Sequence, residues 1–360
     1  MFIRTMMFAG TPKKRIPTLC ELYIFNSNAD DVREMYGVDT GKSTFTKLPN
    51  PPRAPVQTWN AVYSPDGNFL VLVLRYAPFL SLFRRDSAGQ YTPVTFGNVT
   101  GNPLPSEPAI DGVSFTADSK RMVAVPSSTA FPHVYELTED KSTYAFKSSL
   151  SAGNQGTVSS AIVSPDGTLL ALSANATRGA YIFKWNGTNY AYFNSSADYG
   201  NTSLGNSPKM LWTKDSQRLI AANTNESYSL FIWRRGANDV FTRILTRAIT
   251  NGVRNLALSP DETHLMTGGA SSTKLLLQGF KWDGASTLTA LSVTPLPPNS
   301  VESFSFTPDG NYLAVGHTQY NAYNSAVSIY ARTGDAYARV AADFSTYRAT
   351  GRAVFRPVLQ

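Results

Sequence analysis

The feature that most restricts how this chain can fold is a short unit that occurs six times. In its fullest form it reads Asn60-Ala61-Val62-Tyr63-Ser64-Pro65-Asp66-Gly67-Asn68-Phe69-Leu70-Val71-Leu72. An alternating apolar run, a Pro-Asp-Gly turn and a second apolar run together predict a tight hairpin. The turn aspartates are Asp66, Asp118, Asp166, Asp215, Asp261 and Asp309, so five periods separate the first from the last at a mean of about 49 residues. Four residues beyond each aspartate stands Leu70, Met122, Leu170, Leu219, Leu265 or Leu313. The residues three and five before it are apolar in all six copies. A register held over that length belongs to a chain of stacked repeats.

Each period holds four strand-like runs. In the third copy these are Ser160–Val163, Leu169–Ser173, Ala180–Trp185 and, after the hairpin dipeptide Asn186-Gly187, Tyr190–Phe193. Third strands are predicted at Leu80–Arg84, Val134–Leu137, Leu230–Arg234, Leu275–Trp282 and Val327–Tyr330. Fourth strands follow at Tyr91–Val94, Tyr144–Phe146, Val240–Ile244, Leu288–Leu291 and Tyr337–Val340. Four antiparallel strands per repeat define the blade of a β-propeller, and blades cover their faces only by stacking until a ring closes. Six copies are complete. The stretch Arg352 to Pro357 aligns with Asn60 to Pro65 and ends on an innermost strand. The beginning of the chain supplies the strands that are then missing: Glu21–Phe25, Arg33–Val38 and Thr44–Leu48. The expected fold is therefore an all-β, seven-bladed, WD40-like propeller forming one domain over residues 1–360. Residues 20–50 and 352–360 share the closing blade, which removes two exposed sheet edges, and residues 1–19 form an extension.

Composition narrows the function classes. Charged residues make up 16% and aromatics 12%, with 25 glycines and 22 prolines, in keeping with a turn-rich β protein. A net charge of +7 suits an anionic partner, yet the longest basic cluster is Lys13-Lys14-Arg15, which argues against nucleic acid. The single cysteine, Cys20, permits no intrachain disulfide, fits a reducing cytoplasm and reads as a core residue. No run approaches the roughly 20 apolar residues of a membrane span, and the opening Met1 to Phe8 lacks the apolar core of a secretory signal.

The search for chemistry gives little. His133, His264 and His317 occupy different positions in their repeats and read as isolated surface or strand-end residues, without a metal-ligand pattern. The six turn aspartates form a possible carboxylate ring, but Asp in such a turn caps it, and the turns are expected at the outer ends of the blades, far apart. No phosphate loop, nucleophile elbow or zinc-protease motif occurs. Trp185, Trp233 and Trp282 read as packing residues. The remaining candidates lie on the face of longer loops: Tyr76, Pro78, Phe79, Phe131, Arg178, Tyr228, Tyr320 and Tyr323. Aromatics and arginine on variable loops suit a partner-binding surface.

The wording of the repeats resembles that of WD-like repeats in tailed-bacteriophage virion proteins. The segment Phe45-Thr46-Lys47-Leu48-Pro49-Asn50-Pro51-Pro52 leading into Asn60 to Gly67 carries the likeness. So do Asp309 to His317 and Val327-Ser328-Ile329-Tyr330-Ala331-Arg332-Thr333-Gly334-Asp335. The second and fourth copies, Thr116-Ala117-Asp118-Ser119 and Thr213-Lys214-Asp215-Ser216, depart from it. The resemblance implies a non-enzymatic, tail-associated virion protein present in several copies. Its expected partners are neighbouring virion proteins or a glycan or protein of the host surface, with no cofactor, no nucleic acid and no membrane insertion. Two alternatives stand beside it. One is a lactonase-like propeller enzyme with its site at the channel mouth, using His317 or His133. The other is a sugar-binding or interaction propeller of cellular origin.

Overall fold

A computed structural model describes residues 19–26, 33–50, 56–76, 78–96, 110–126, 132–150, 158–174, 180–195, 209–223, 229–249, 252–269, 277–297, 300–317, 327–342 and 351–357. Its strands form seven sheets. Blade 2 is the simplest: Thr58–Tyr63, Phe69–Leu74, Leu80–Arg85 and Tyr91–Val94, each pairing antiparallel with the next. Blade 3 runs from Ile110–Phe115 to Tyr144–Ser149, blade 4 from Val158–Val163 to Tyr190–Ser195, and blade 5 from Lys209–Trp212 to Phe241–Arg247. Blade 6 runs from Asn255–Leu258 to Leu288–Ala290, and blade 7 from Val301–Phe306 to Ala336–Ala342.

Blade 1 joins the two ends of the chain. Gly351–Phe355 is its innermost strand and pairs with Leu19–Asn26, with Leu22 opposite Phe355 and Asn26 opposite Gly351. Arg33–Asp39 and Thr44–Leu48 complete the sheet. The innermost strands touch their neighbours in an unbroken cycle, blade 1 against blade 2 and onward until blade 7 meets blade 1. The ring is closed, with seven blades, as the repeat register requires.

Every second strand is sandwiched between blades, so its alternating side chains serve two seams. Phe69, Val71 and Val73 pack toward blade 3, while Leu70, Leu72 and Leu74 pack toward blade 1. Among the described residues the core falls into seven apolar clusters, one in each seam. Cys20 lies in the cluster between blades 7 and 1, and burial pushes its thiol pKa up to about 12, so it is not a nucleophile at neutral pH.

Three expectations are corrected here. The aspartate turns are not at the remote ends of the blades. They join the two innermost strands, and neighbouring turns touch: Ser119 Oγ accepts from the Asp66 amide at 2.9 Å, and Ser216 Oγ from that of Asp166 at 2.9 Å. The histidines stand at strand ends, as read, but not on the surface, since His264, His317 and His133 are 0%, 2% and 7% exposed. Finally, the segment read as ending a fourth strand at Leu291 divides. Leu288–Ala290 stays in blade 6, whereas Ser292–Thr294 crosses to pair in parallel with Ala336, Tyr337 and Ala338 on the outer strand of blade 7. Val293, buried between them, accounts for the crossing, because it enters the apolar cluster of the seam between blades 6 and 7.

Candidate active site at the channel mouth

The innermost strands of a closed ring line its axis, and here they begin on the loop-bearing face. Counting six residues back from each turn aspartate gives one tier of equivalent positions: Asn60, Gly112, Ser160, Lys209, Asn255 and Ser303, with Arg352 in the closing strand. All are half-buried, as channel-lining residues should be. Two positions further in, the tier is mainly apolar, with Val62, Ile162, Leu211 and Val354 among its members. The channel thus has a polar, cationic mouth above a more apolar throat.

One group in that mouth has the makings of a reactive site. Glu302, Arg352 and Trp59 are each the second residue of their innermost strand, in blades 7, 1 and 2. An Arg352 Nη atom stands 3.5 Å from a Glu302 carboxylate oxygen, and the two side chains are 13% and 17% exposed. The other Nη donates to the Trp59 carbonyl at 2.6 Å, and the guanidinium lies over the Trp59 ring, 4.7 Å from its centre. Burial works to lower the Arg352 pKa, while the Glu302 charge works to raise it. Its Nε is buried with no hydrogen-bond partner among the described residues, so one donor is left over for another acceptor. A carboxylate held beside a fixed guanidinium in a partly dry cleft is the equipment of acid–base chemistry with charge stabilisation.

The loop-face candidates fare differently. Tyr76 is 57% exposed, with the Arg75 guanidinium 5.9 Å from its ring centre. Phe79 has a positive φ of 63° and packs inward against the blade 2–3 cluster instead of offering a surface. Phe131, Arg178, Tyr228, Tyr320 and Tyr323 lie outside the described residues. The histidines named for an enzymatic alternative are not gathered: His133, in blade 3, meets Ser149 Oγ at 2.9 Å, and His317, in blade 7, meets Ser328 Oγ at 3.2 Å. Among the described residues no group of His, Cys, Asp and Glu is placed to hold a metal ion. The six aspartates cap their turns, each carboxylate accepting from the Ser or Thr hydroxyl two residues earlier. Reading by loops and histidines passes over Glu302 and Arg352. The available signal was the charge of Arg352 on an innermost strand, at a position where, Lys209 apart, the other copies carry small or amide side chains; the position of Glu302 holds a charge in other copies too, at Asp111 and Arg254.

No family model matches the chain, and no curated protein does. Solved structures do match, over almost its whole length. A putative 6-phosphogluconolactonase from Bacteroides fragilis is 17% identical at a TM-score of 0.69, covering 94% of this chain and 97% of its own. The periplasmic gluconolactonase of Pseudomonas aeruginosa is 16% identical at 0.70, covering 95% and 100%. The β-propeller domain of Cps50 (Swd1) from Myceliophteria thermophila is 12% identical at 0.56, covering 81% and 88%. The fold is a WD40-like seven-bladed β-propeller. The expectation of a non-enzymatic chain is contradicted by these comparisons, since three structures that match it over more than nine-tenths of its length are described as gluconolactonases or putative 6-phosphogluconolactonases. Nothing in these likenesses points to a virion or a phage tail.

Proposed function

We propose that the chain is a hydrolase of sugar lactones that works at the loop-side mouth of its channel. The observation that carries this reading is the Glu302–Arg352 pair, fixed by Trp59 in a cationic tier of the channel. Its support from outside is the whole-length likeness to gluconolactonase propellers. In the reaction Glu302 takes a proton from water as the water oxygen adds to the lactone carbonyl carbon. Arg352 stabilises the negative charge that forms on the carbonyl oxygen. The bond from that carbon to the ring oxygen then breaks, Glu302 returns the proton to the departing oxygen, and an open-chain hydroxy acid leaves. The positive tier suits substrates that carry a phosphate or gain a carboxylate.

The test follows acid release from glucono-1,5-lactone and its 6-phosphate against the spontaneous rate. Glu302→Gln keeps shape and removes the base, so kcat should fall about 10²–10⁴-fold with the fold intact by circular dichroism. A wild-type rate no faster than background, or an unimpaired Glu302→Gln variant, rules the reading out.

A further inference from the structure

The terminal strand Gly351–Phe355 uses its two edges differently. Along one edge it pairs with Leu19–Asn26, and the Arg356 amide just beyond it donates to the Glu21 carbonyl at 2.8 Å. Alternate amides point the other way, toward blade 7. There the Ala353 amide donates to Ser303 Oγ at 3.2 Å and the Phe355 amide to Ser305 Oγ at 2.8 Å. Ala353 and Phe355 are buried, so the two hydroxyls answer donors that bulk water does not reach. These serines stand six and four residues before Asp309. Of the six complete copies, blade 7 alone has serine at both positions; blade 3 has Ser114 at the second and blade 4 has Ser160 at the first.

The two contacts fall beside the Glu302–Arg352 pair. Ser303 follows Glu302 and Ala353 follows Arg352, so the first contact joins the neighbours of the two charged residues. On the other side of Glu302, Asn255 of blade 6 donates through Nδ2 to the Val301 carbonyl at 2.9 Å. The rest of the seam between blades 7 and 1 is apolar, with Leu22 and Ile24 against Tyr312 and Ala314. Apolar contact is non-directional, so it holds the two blades together without fixing their relative height along the axis. Directional bonds spaced two residues apart do fix it. A slip by one such step would carry Arg352 about 7 Å along its strand, away from Glu302.

We infer that Ser303 and Ser305 are positioning residues for the site at the channel mouth. They form a two-toothed rack on blade 7 that sets the height of the terminal strand, and with it the place of the Arg352 guanidinium against Glu302. The catalytic consequence rests on the hydrolase reading proposed above: a misplacement of about 1 Å at a reacting group is enough to lower turnover about 100-fold.

The test compares wild type with Ser303→Ala/Ser305→Ala, Ser303→Thr/Ser305→Thr and, as a control, Ser114→Ala. The control removes the same kind of contact between blades 3 and 4, where Ser114 Oγ accepts from the Val163 amide at 3.0 Å. With every variant folded by circular dichroism, the double alanine variant should lose about 10–100-fold in kcat for glucono-1,5-lactone, with KM changed less than about threefold. The threonine variant, which keeps both acceptors, and the control should stay within about threefold of wild type. Hydrogen–deuterium exchange on the same proteins, read without substrate, should show residues 351–357 exchanging at least about tenfold faster in the double alanine variant alone. A double alanine variant with wild-type kcat or unchanged exchange there, or a control or threonine variant impaired to the same degree, overturns the inference. A wild type that hydrolyses no lactone above background fails the hydrolase reading and not the rack, which the exchange result then decides.

Discussion

The residue that repeats most faithfully in function is the Ser or Thr two positions before each turn aspartate. Ser164 shows why. Its hydroxyl donates to Asp166 Oδ1 at 2.5 Å and accepts from the Leu169 amide at 2.9 Å, in a site with no exposure to solvent. Five other copies repeat the arrangement through Ser64, Thr116, Thr213, Ser259 and Thr307. Ser164→Ala leaves the Leu169 amide without its acceptor and should cost about 1–3 kcal/mol in urea denaturation. The aspartates were legible from turn chemistry alone, but their hydroxyl partners were not. A Ser before Pro-Asp looks like ordinary turn composition until the strand five residues on is seen to close over it. His264 is the residue whose burial matters most for pH. Burial first, then the Arg332 charge, holds its pKa below the ordinary 6.5, with Tyr337, Asp335 and Asp261 also at hand. The folded state therefore prefers neutral imidazole, and the unfolded chain takes up the proton first. Stability should be fully present above about pH 6.5 and decline as pH falls below it. Asp261, depressed by its turn and by Arg332, adds its own loss only below the ordinary carboxylate pKa of 3.8. The melting temperature of His264→Gln should lack the upper of these two declines.

Seams between blades, at the scale of elements, are told apart by one pair of positions. The residue three after each turn aspartate, or Glu21 at the same register in blade 1, faces a residue at or next to the end of the third strand on the next blade. Blade 1 to blade 2 pairs Glu21 with Arg85 at 2.5 Å. Blades 3 and 4 stack Arg121 on Trp185 at 4.0 Å, and blades 5 and 6 bring Arg218 over Trp282 at 5.8 Å. Blades 6 and 7 pair His264 with Arg332 at 3.2 Å, while two seams are apolar, Phe69 with Leu137 and Tyr312 with Val38. Matched pairs of different chemistry discourage a blade from docking in the wrong place. Arg121→Leu and Trp185→Leu should each destabilise the ring. The double variant, which imitates the apolar seams, should recover about 0.5–2 kcal/mol relative to the sum of the two. Sequence periodicity located the strands themselves well, because a second strand buried on both faces is apolar without interruption. It could not show the parallel crossing of Ser292–Thr294, whose partner lies in the next blade and leaves no local signal.

The whole molecule is a ring held shut by Gly351–Phe355, and that closure was readable from the alignment of the chain's end with the first strand of a blade. The site was not readable, because Glu302, Arg352 and Trp59 are remote in sequence and become neighbours only when blades 7, 1 and 2 meet. Removing residues 351–360 should lower the thermal midpoint and abolish lactone turnover together, by scanning calorimetry and acid release on one sample. A milder change separates the two. Arg352→Lys keeps a cation on the strand but loses the planar fork, so turnover should fall more than stability.

The strand that fastens the ring also delivers Arg352, so this molecule has a clasp with a working part attached. Tension applied to that end would peel away the guanidinium before disturbing the opposite side of the disc. On the hydrolase reading proposed above, chemistry would cease while most of the blades were still assembled, making activity an early gauge of damage.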